Sequence, residues 1–263
     1  MNKLKIEQQL RISKPSVLTL AAVGVHLLTS FGIVCSFLSI LKVFAGDLNN
    51  AFLWLGVALF IDSIDGSLAR KVNVSRFTPN INGLMMDSIV DFINYILIPC
   101  LIFYTGGFLL RDFEVFLPVA ILVISLFSYS RISVLDDDFR YVGFPVAWNI
   151  VAVYLYIFDV SQLANTIIIS MFIILKFVPL KYVHPFRTKR HREPTLFFTA
   201  LWLVSIGVLC LNKALTLDAG ILIPANVVLA IATLYFVCLT LASGFEGRAI
   251  NPKQLSRRSS IPT

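Results

Sequence analysis

Between Asp62 and Asp91, four aspartates stand inside or at the edge of two long apolar runs. A carboxylate in a membrane helix costs about 2.5–3.5 kcal/mol on insertion scales, so four together cost on the order of 10 kcal/mol with nothing to offset them. Bound cations and a function are the expected offset. The stretch reads Asp62-Ser-Ile-Asp65-Gly66-Ser-Leu-Ala69-Arg70, then twelve residues, then Gly83-Leu-Met-Met-Asp87-Ser-Ile-Val-Asp91. On a helix Asp62, Asp65 and Ala69 share one face at i, i+3 and i+7. Gly83, Asp87, Asp91 and Tyr95 form an i, i+4 stripe on a second helix. Two facing stripes of acid make an oxygen-rich cage for hard divalent cations.

The surroundings of these acids fix the fold class. The chain is 57% hydrophobic and only 14% charged, against about 25% charged in soluble domains. Several apolar runs reach the length of a membrane span. This predicts an all-α polytopic membrane bundle of about eight transmembrane helices, with residues 1–263 as one domain. The predicted spans run from His26 to Ala45, Asn50 to Arg70, Gly83 to Tyr104, Val115 to Arg131, Pro145 to Phe158, Ala164 to Phe177, Thr195 to Leu211 and Gly220 to Leu241. Residues 1–25 are expected as an amphipathic amino-terminal segment. In it Lys3, Lys5, Arg11 and Lys14 mix with Leu4, Ile6, Leu10 and Ile12 ahead of apolar Ser16–Gly24. No cleavable signal peptide is expected. Residues 244–263 form a polar, basic tail, disordered around Ser256–Ser260.

A net charge of +7 invites a nucleic-acid reading, which the distribution of charge rejects. With these spans, all but three of the 22 Lys and Arg fall on the side of the amino terminus, the exceptions being Lys42, Arg111 and Lys213. That is the positive-inside bias, and it predicts both termini in the cytoplasm. Anionic lipid head groups, not nucleic acid, are the expected partner of the surplus charge. Cys35, Cys100, Cys210 and Cys238 all sit in apolar runs and read as small buried hydrophobes without disulfides.

The eight positions Asp62, Asp65, Gly66, Ala69, Arg70, Gly83, Asp87 and Asp91 resemble the signature of the CDP-alcohol phosphotransferases. The twelve-residue gap from Lys71 to Asn82 is longer than that family's usual gap of about eight. It is similar to that of the bacterial phosphatidylcholine synthases, as are Val25-His26-Leu-Leu-Thr29, Asp91-Phe-Ile-Asn-Tyr95 and Gly143-Phe-Pro-Val-Ala-Trp148-Asn149. The resemblance implies transfer of the phosphatidyl group of CDP-diacylglycerol to choline, with release of CMP. It implies two divalent ions, Mn2+ or Mg2+, a homodimer, and a bacterial inner (plasma) membrane location.

By that resemblance Asp62, Asp65 and Asp87 ligate one ion, while Asp62 and Asp87 bridge to a second with Asp91 nearby. Asp91 is the expected general base for the choline hydroxyl. Gly66 and Ala69 are small where the CDP-diacylglycerol nucleotide or a neighbouring helix approaches. Arg70 pairs with a CDP phosphate or anchors the helix end. Gly83 opens the second stripe. His26 and Thr29 occupy positions where many relatives carry Asn-x2-Thr near the cytidine, so they contact nucleotide or bond between helices.

Choline is a quaternary ammonium ion whose nitrogen donates no hydrogen bond, so its recognition calls for aromatic faces. Tyr95, Trp148, Tyr129 and Tyr141 are the candidates, set against the general gathering of Trp and Tyr at membrane interfaces. Asn149 is expected to brace them. Asp136–Asp138 reads as a solvated turn. The basic loop from Lys181 to Arg192, with His184 and His191, reads as topology signal and as an aid in gathering anionic substrate. Two rival functions stand beside choline transfer. One is a related transferase using serine, glycerol phosphate or an inositol phosphate, although a phosphorylated acceptor needs basic residues that spans two and three lack beyond Arg70. The other is an ion-coupled transporter, which calls for acids spread across the bilayer.

Overall fold

The computed structural model describes residues 16–130, 141–178, 180–182 and 191–244. Helix α1 runs unbroken over Val17–Phe44. Ser16 caps it by accepting the Thr19 amide at 3.1 Å, which satisfies one of the helix's orphan donors. No proline interrupts residues 17–44, so Ser16–Gly24 does not form a segment apart from the first span. It supplies the cap and opening turns of that span. The basic stretch 1–15 lies outside the described residues.

Gly46, at φ +72, turns the chain into α2, Leu48–Val72, which Asp47 caps. Asp47 also pairs with Lys42 at 3.3 Å. The α1–α2 hairpin closes on small buried residues: Ala22, Cys35, Ser36 and Ser39 on one side, Ala51 and Ala58 on the other. In lipid, where apolar burial gives little drive between helices, such close backbone approach supplies the packing energy.

Asn73 ends α2 in the left-handed conformation, at φ 58. The loop that follows contains a short helix, α3, Val74–Phe77, where the sequence predicts only polar loop. Asn82 then caps α4, Gly83–Phe92, by accepting the Met85 amide. The same span continues through a π turn at Ile93–Leu97 into α5, Ile98–Thr105. Pro99 explains the widening, because it has no N–H for the carbonyl of Tyr95 and its ring clashes there.

After a 3-10 turn at Arg111–Phe113 comes α6, Phe116–Tyr129. Asp136–Asp138 and Arg131 lie outside the described residues. Strand β1, Tyr141–Val142, pairs antiparallel with β2, Lys181–Tyr182, in the register Tyr141 to Tyr182. Between the strands lie α7, Trp148–Phe158, and α8, Gln162–Leu175. The last two spans are α9, Arg192–Leu215, and α10, Ala219–Gly244.

Six of the expected spans have full crossing length, while α7 and α8 have 11 and 14 residues. At about 1.5 Å per residue neither covers the roughly 30 Å of a hydrocarbon core alone. Their hairpin nonetheless meets the turn at the far end of α5. Gln162 donates to the Gly107 carbonyl at 2.9 Å and Asn165 to the Phe108 carbonyl at 3.1 Å.

The largest apolar cluster gathers Ile96, Ile98, Ile102, Phe103, Ile121, Trp148 and Val151. Outward faces carry Leu27, Phe31, Phe60, Phe127 and Ile223, all exposed, as a helix bundle in lipid requires. Cys35, Cys100 and Cys210 are buried as expected, and all four cysteines are free. Cys238 corrects the expectation: it is exposed, because α10 is the span least covered by the rest of the bundle.

Candidate active site

Helix α2 supplies Asp62 and Asp65, and α4 supplies Asp87 and Asp91. Asp62, Asp87 and Asp91 come together, each with a carboxylate oxygen within 4.8 Å of the others. At an effective dielectric near 20, each such pair of like charges repels by roughly 3 kcal/mol. All three are partly buried, so water screens them incompletely. Asp65, the fourth expected ligand, is not among the three acids that come together; it is 4% exposed, and its Oδ2 accepts the Thr29 hydroxyl of α1 at 2.7 Å. The ligand set is all carboxylate oxygen, without sulfur or imidazole, which suits hard divalent cations. The donors present therefore fit a divalent metal.

Two glycines let α4 close on α1. A Cβ at Gly32 of α1 would lie 2.8 Å from Val90 Cγ1, next to Asp91. A Cβ at Gly83 would lie 3.0 Å from His26 Cε1, so the imidazole lies against the first residue of the acid helix. His26 is buried, and its Nε2 lies 2.9 Å from Thr78 Oγ1. Thr78 in turn donates to the Val74 carbonyl at 2.9 Å. With the hydroxyl proton so committed, His26 donates from Nε2 and keeps Nδ1 as an acceptor. His26 thus latches the twelve-residue loop to α1. Of the two roles expected for His26 and Thr29, bonding between elements is present for both.

Ala69 packs into the cluster of Ala22, Val25 and Val74. Gly66 is half-buried on the acid face and Arg70 is exposed. The Arg70 guanidinium reaches Ser67 Oγ at 3.2 Å. A side chain held this lightly at a helix end keeps its reach for a phosphate.

Two of the four expected aromatics, Tyr95 and Tyr129, stand at the acids, and Tyr141 neighbours Tyr129. Tyr95 donates its hydroxyl to Asp62 Oδ2 at 2.5 Å and lies in the electrostatic field of Asp91 and Tyr129. Tyr129 lies edge-on to Phe92, with ring centroids 5.8 Å apart, on the side of the bundle that carries Asp91 and Tyr141. Tyr141 arrives on β1. Trp148 stands one layer behind at 2% exposure. Its indole N–H donates to Ser125 at 3.1 Å and its ring meets Phe144. The Asn149 side-chain oxygen is buried with no hydrogen-bond partner among the described residues, so the expected brace is not formed by that atom.

The β1–β2 clip holds Tyr141 in place. Gly143, at φ +85, approaches the Lys176 carbonyl so closely that a Cβ would lie 2.5 Å from its oxygen. Its amide donates to the Leu180 carbonyl, and Lys176 Nζ donates to the Phe144 carbonyl at 2.6 Å. Burial raises the pKa of the Tyr182 phenol, opposite Tyr141, above the ordinary range. His184 lies outside the described residues.

Sequence reasoning missed Gly32, Thr78 and the bond from Ser36 Oγ to Asn94 Oδ1, 2.9 Å long. Pro99, four residues past Tyr95, was a usable signal for the π turn. Gly32 had none, since glycine is common in membrane helices for packing alone.

Carboxylates from two membrane helices, flanked by glycines and a terminal arginine, form a candidate metal site. The chain belongs to the CDP-alcohol phosphatidyltransferase family, whose sequence profile matches residues 23–180. Among its curated relatives is a phosphatidylcholine synthase of Pseudomonas aeruginosa, 34% identical over 190 residues, covering 72% of this chain and 80% of that one. Another, from Borreliella burgdorferi, is 34% identical over 219 residues, covering 83% and 91%. A third, from Legionella pneumophila, is 37% identical over 168 residues, covering 64% and 66%. All four aspartates lie inside the family segment, whereas α9 and α10 lie beyond it.

Proposed function

We propose that the protein transfers the phosphatidyl group of CDP-diacylglycerol to choline, releasing CMP. The observation that carries this reading is the meeting of Asp62, Asp87 and Asp91 within 4.8 Å, beside the hydroxyl of Tyr95. The curated relatives named as phosphatidylcholine synthases support the acceptor.

Asp62, Asp65, Asp87 and Asp91 would hold two divalent ions, Mn2+ or Mg2+, which when bound neutralise the diphosphate and the departing CMP. Asp91 takes the proton of the choline hydroxyl. The choline oxygen then bonds to the phosphorus that carries diacylglycerol, and the bond from that phosphorus to the CMP oxygen breaks. Arg70 steadies the nucleotide phosphate. Gly66 leaves room for the nucleotide, while Gly83 makes room for His26 and Ala69 for the Ala22–Val25–Val74 cluster, which sets His26 and Thr29 beside it. His26 offers Nδ1 as an acceptor. Tyr95, Tyr129 and Tyr141 wall the ammonium, where cation–π attraction is worth about 0.5–2 kcal/mol per ring. Trp148 backs that wall. The acid end faces the cytoplasm of a bacterial inner membrane, and the protein works as a homodimer.

Purified protein given CDP-diacylglycerol, Mn2+ and a panel of alcohols tests the reading. CMP and phosphatidylcholine are expected with choline. Use of serine or glycerol phosphate without use of choline sinks the acceptor assignment.

A further inference from the structure

Tyr95 makes a contact that an acceptor-facing ring does not need. Its hydroxyl lies 2.5 Å from Asp62 Oδ2, at the short end of the range for a bond to a carboxylate. The carboxylate torsion of aspartate is broad and roughly two-fold. A short donor bond held on one oxygen therefore biases which way the group faces. The oxygens that Asp62 shares with Asp87 and Asp91 depend on that choice.

Two further observations aim Tyr95. It lies in the π turn Ile93–Leu97, where each residue turns back by roughly 20° relative to an α-helix. That turn is pinned from the side: Asn94, 3% exposed, accepts the Ser36 hydroxyl of α1 at 2.9 Å. Pro99 maintains the widening from the chain itself by withholding the amide that would bond to the Tyr95 carbonyl. π turns of this kind are frequent at functional sites.

We propose that Tyr95 is a positioning residue. Its hydroxyl orients Asp62 toward Asp87 and Asp91 for metal binding, and the π turn ahead of Pro99 aims it. The inference rests on the reading that these acids hold divalent ions. It goes beyond that reading by joining the acceptor wall and the metal ligands in one side chain. The phenol ring serves the acceptor while its oxygen serves the acid.

Tyr95→Phe keeps the ring and removes only the donor. Binding of Mn2+ to the full-length protein, followed by electron paramagnetic resonance without substrates, is expected to weaken by about 10-fold, the low end of losses seen when a ligand's supporting bond is removed. The Mn2+ dependence of turnover should move by the same factor, with the choline KM changed by less than about three-fold. Pro99→Ala lets the helix rewind and should weaken Mn2+ binding in the same direction. Wild-type Mn2+ binding in Tyr95→Phe overturns the proposal, as does a rise in choline KM with metal binding unchanged. Wild-type Mn2+ binding in Pro99→Ala overturns the part assigned to the π turn. Asp62→Asn, measured in parallel, separates the two levels: if it leaves Mn2+ binding intact, the acid reading itself has failed.

Discussion

The span from Gly83 to Thr105 and the span from Ala219 to Ala242 are both apolar and long enough to cross a membrane. In the first, 39% of the most apolar window is buried, and in the second 11%. The third span carries two aspartates, a buried asparagine, a π turn and a proline, and neighbours close over it from α1, α2, α6 and α7. The last span carries none of those acids, and its exposed Ile223, Val227, Ile231 and Leu234 line an outward face. Each unpaired polar group in hydrocarbon costs several kcal/mol. Polar groups at membrane depth therefore survive where protein encloses them, and the enclosure is visible as burial. The last span is not inert: Tyr235 bonds to Thr195 and Thr233 to Tyr154, which ties α10 to α9 and α7 along one side.

The sharpest way to break this contrast is a change at Asp91. Asp91→Asn preserves shape and removes the base, so turnover should fall by about 10^3-fold, while CDP-diacylglycerol binding persists. Normal turnover in that variant would rule out Asp91 as the base. A middle-sized effect is expected at Gly143. Alanine there meets a left-handed φ and a carbonyl oxygen at 2.5 Å, a strain on the order of 1–3 kcal/mol. Because the clip carries Tyr141, choline KM should rise several-fold while Mn2+ binding stays put. An unchanged KM would detach the clip from the acceptor. The smallest effect belongs to the last span's outward face: Cys238→Ser should leave turnover within about two-fold, as surface substitutions usually do. A larger loss would mean that this face is covered.

The sequence was most informative where physics leaves few choices. Of the four acids in apolar runs, Asp62, Asp87 and Asp91 come together, and the i, i+4 spacing of Asp87, Asp91 and Tyr95 placed the tyrosine on the acid side. The long apolar runs were equally legible, and six of them have full crossing length. What escaped depends on contacts between distant residues. Nothing local marks Gly32 as the point where α1 meets Val90, or Thr78 as the partner of His26. The two-residue strands Tyr141–Val142 and Lys181–Tyr182 are too short to leave an alternating pattern. The reach of α7 and α8 to the far turn depends on Gln162 and Asn165 finding carbonyls more than fifty positions away. Trp148 illustrates the limit for aromatics, since an interfacial position and the buried place it takes against Ser125 and Phe144 look alike in sequence.

The π turn at Ile93–Leu97 also sets the phase of its helix. Ahead of it, α4 exposes Leu84, Met85 and Ile89 while presenting Asp87 and Asp91. Beyond it, Ile98, Cys100, Ile102 and Phe103 are all within 3% of full burial. One span thus has two independent angular settings, one for the site and one for the core, joined by a single wide turn. Removing one residue from that turn would rotate α5 by about 100°, bringing Leu101 and Tyr104 toward the interior. The acids would stay where they are, so the turn works as a gear between chemistry and packing.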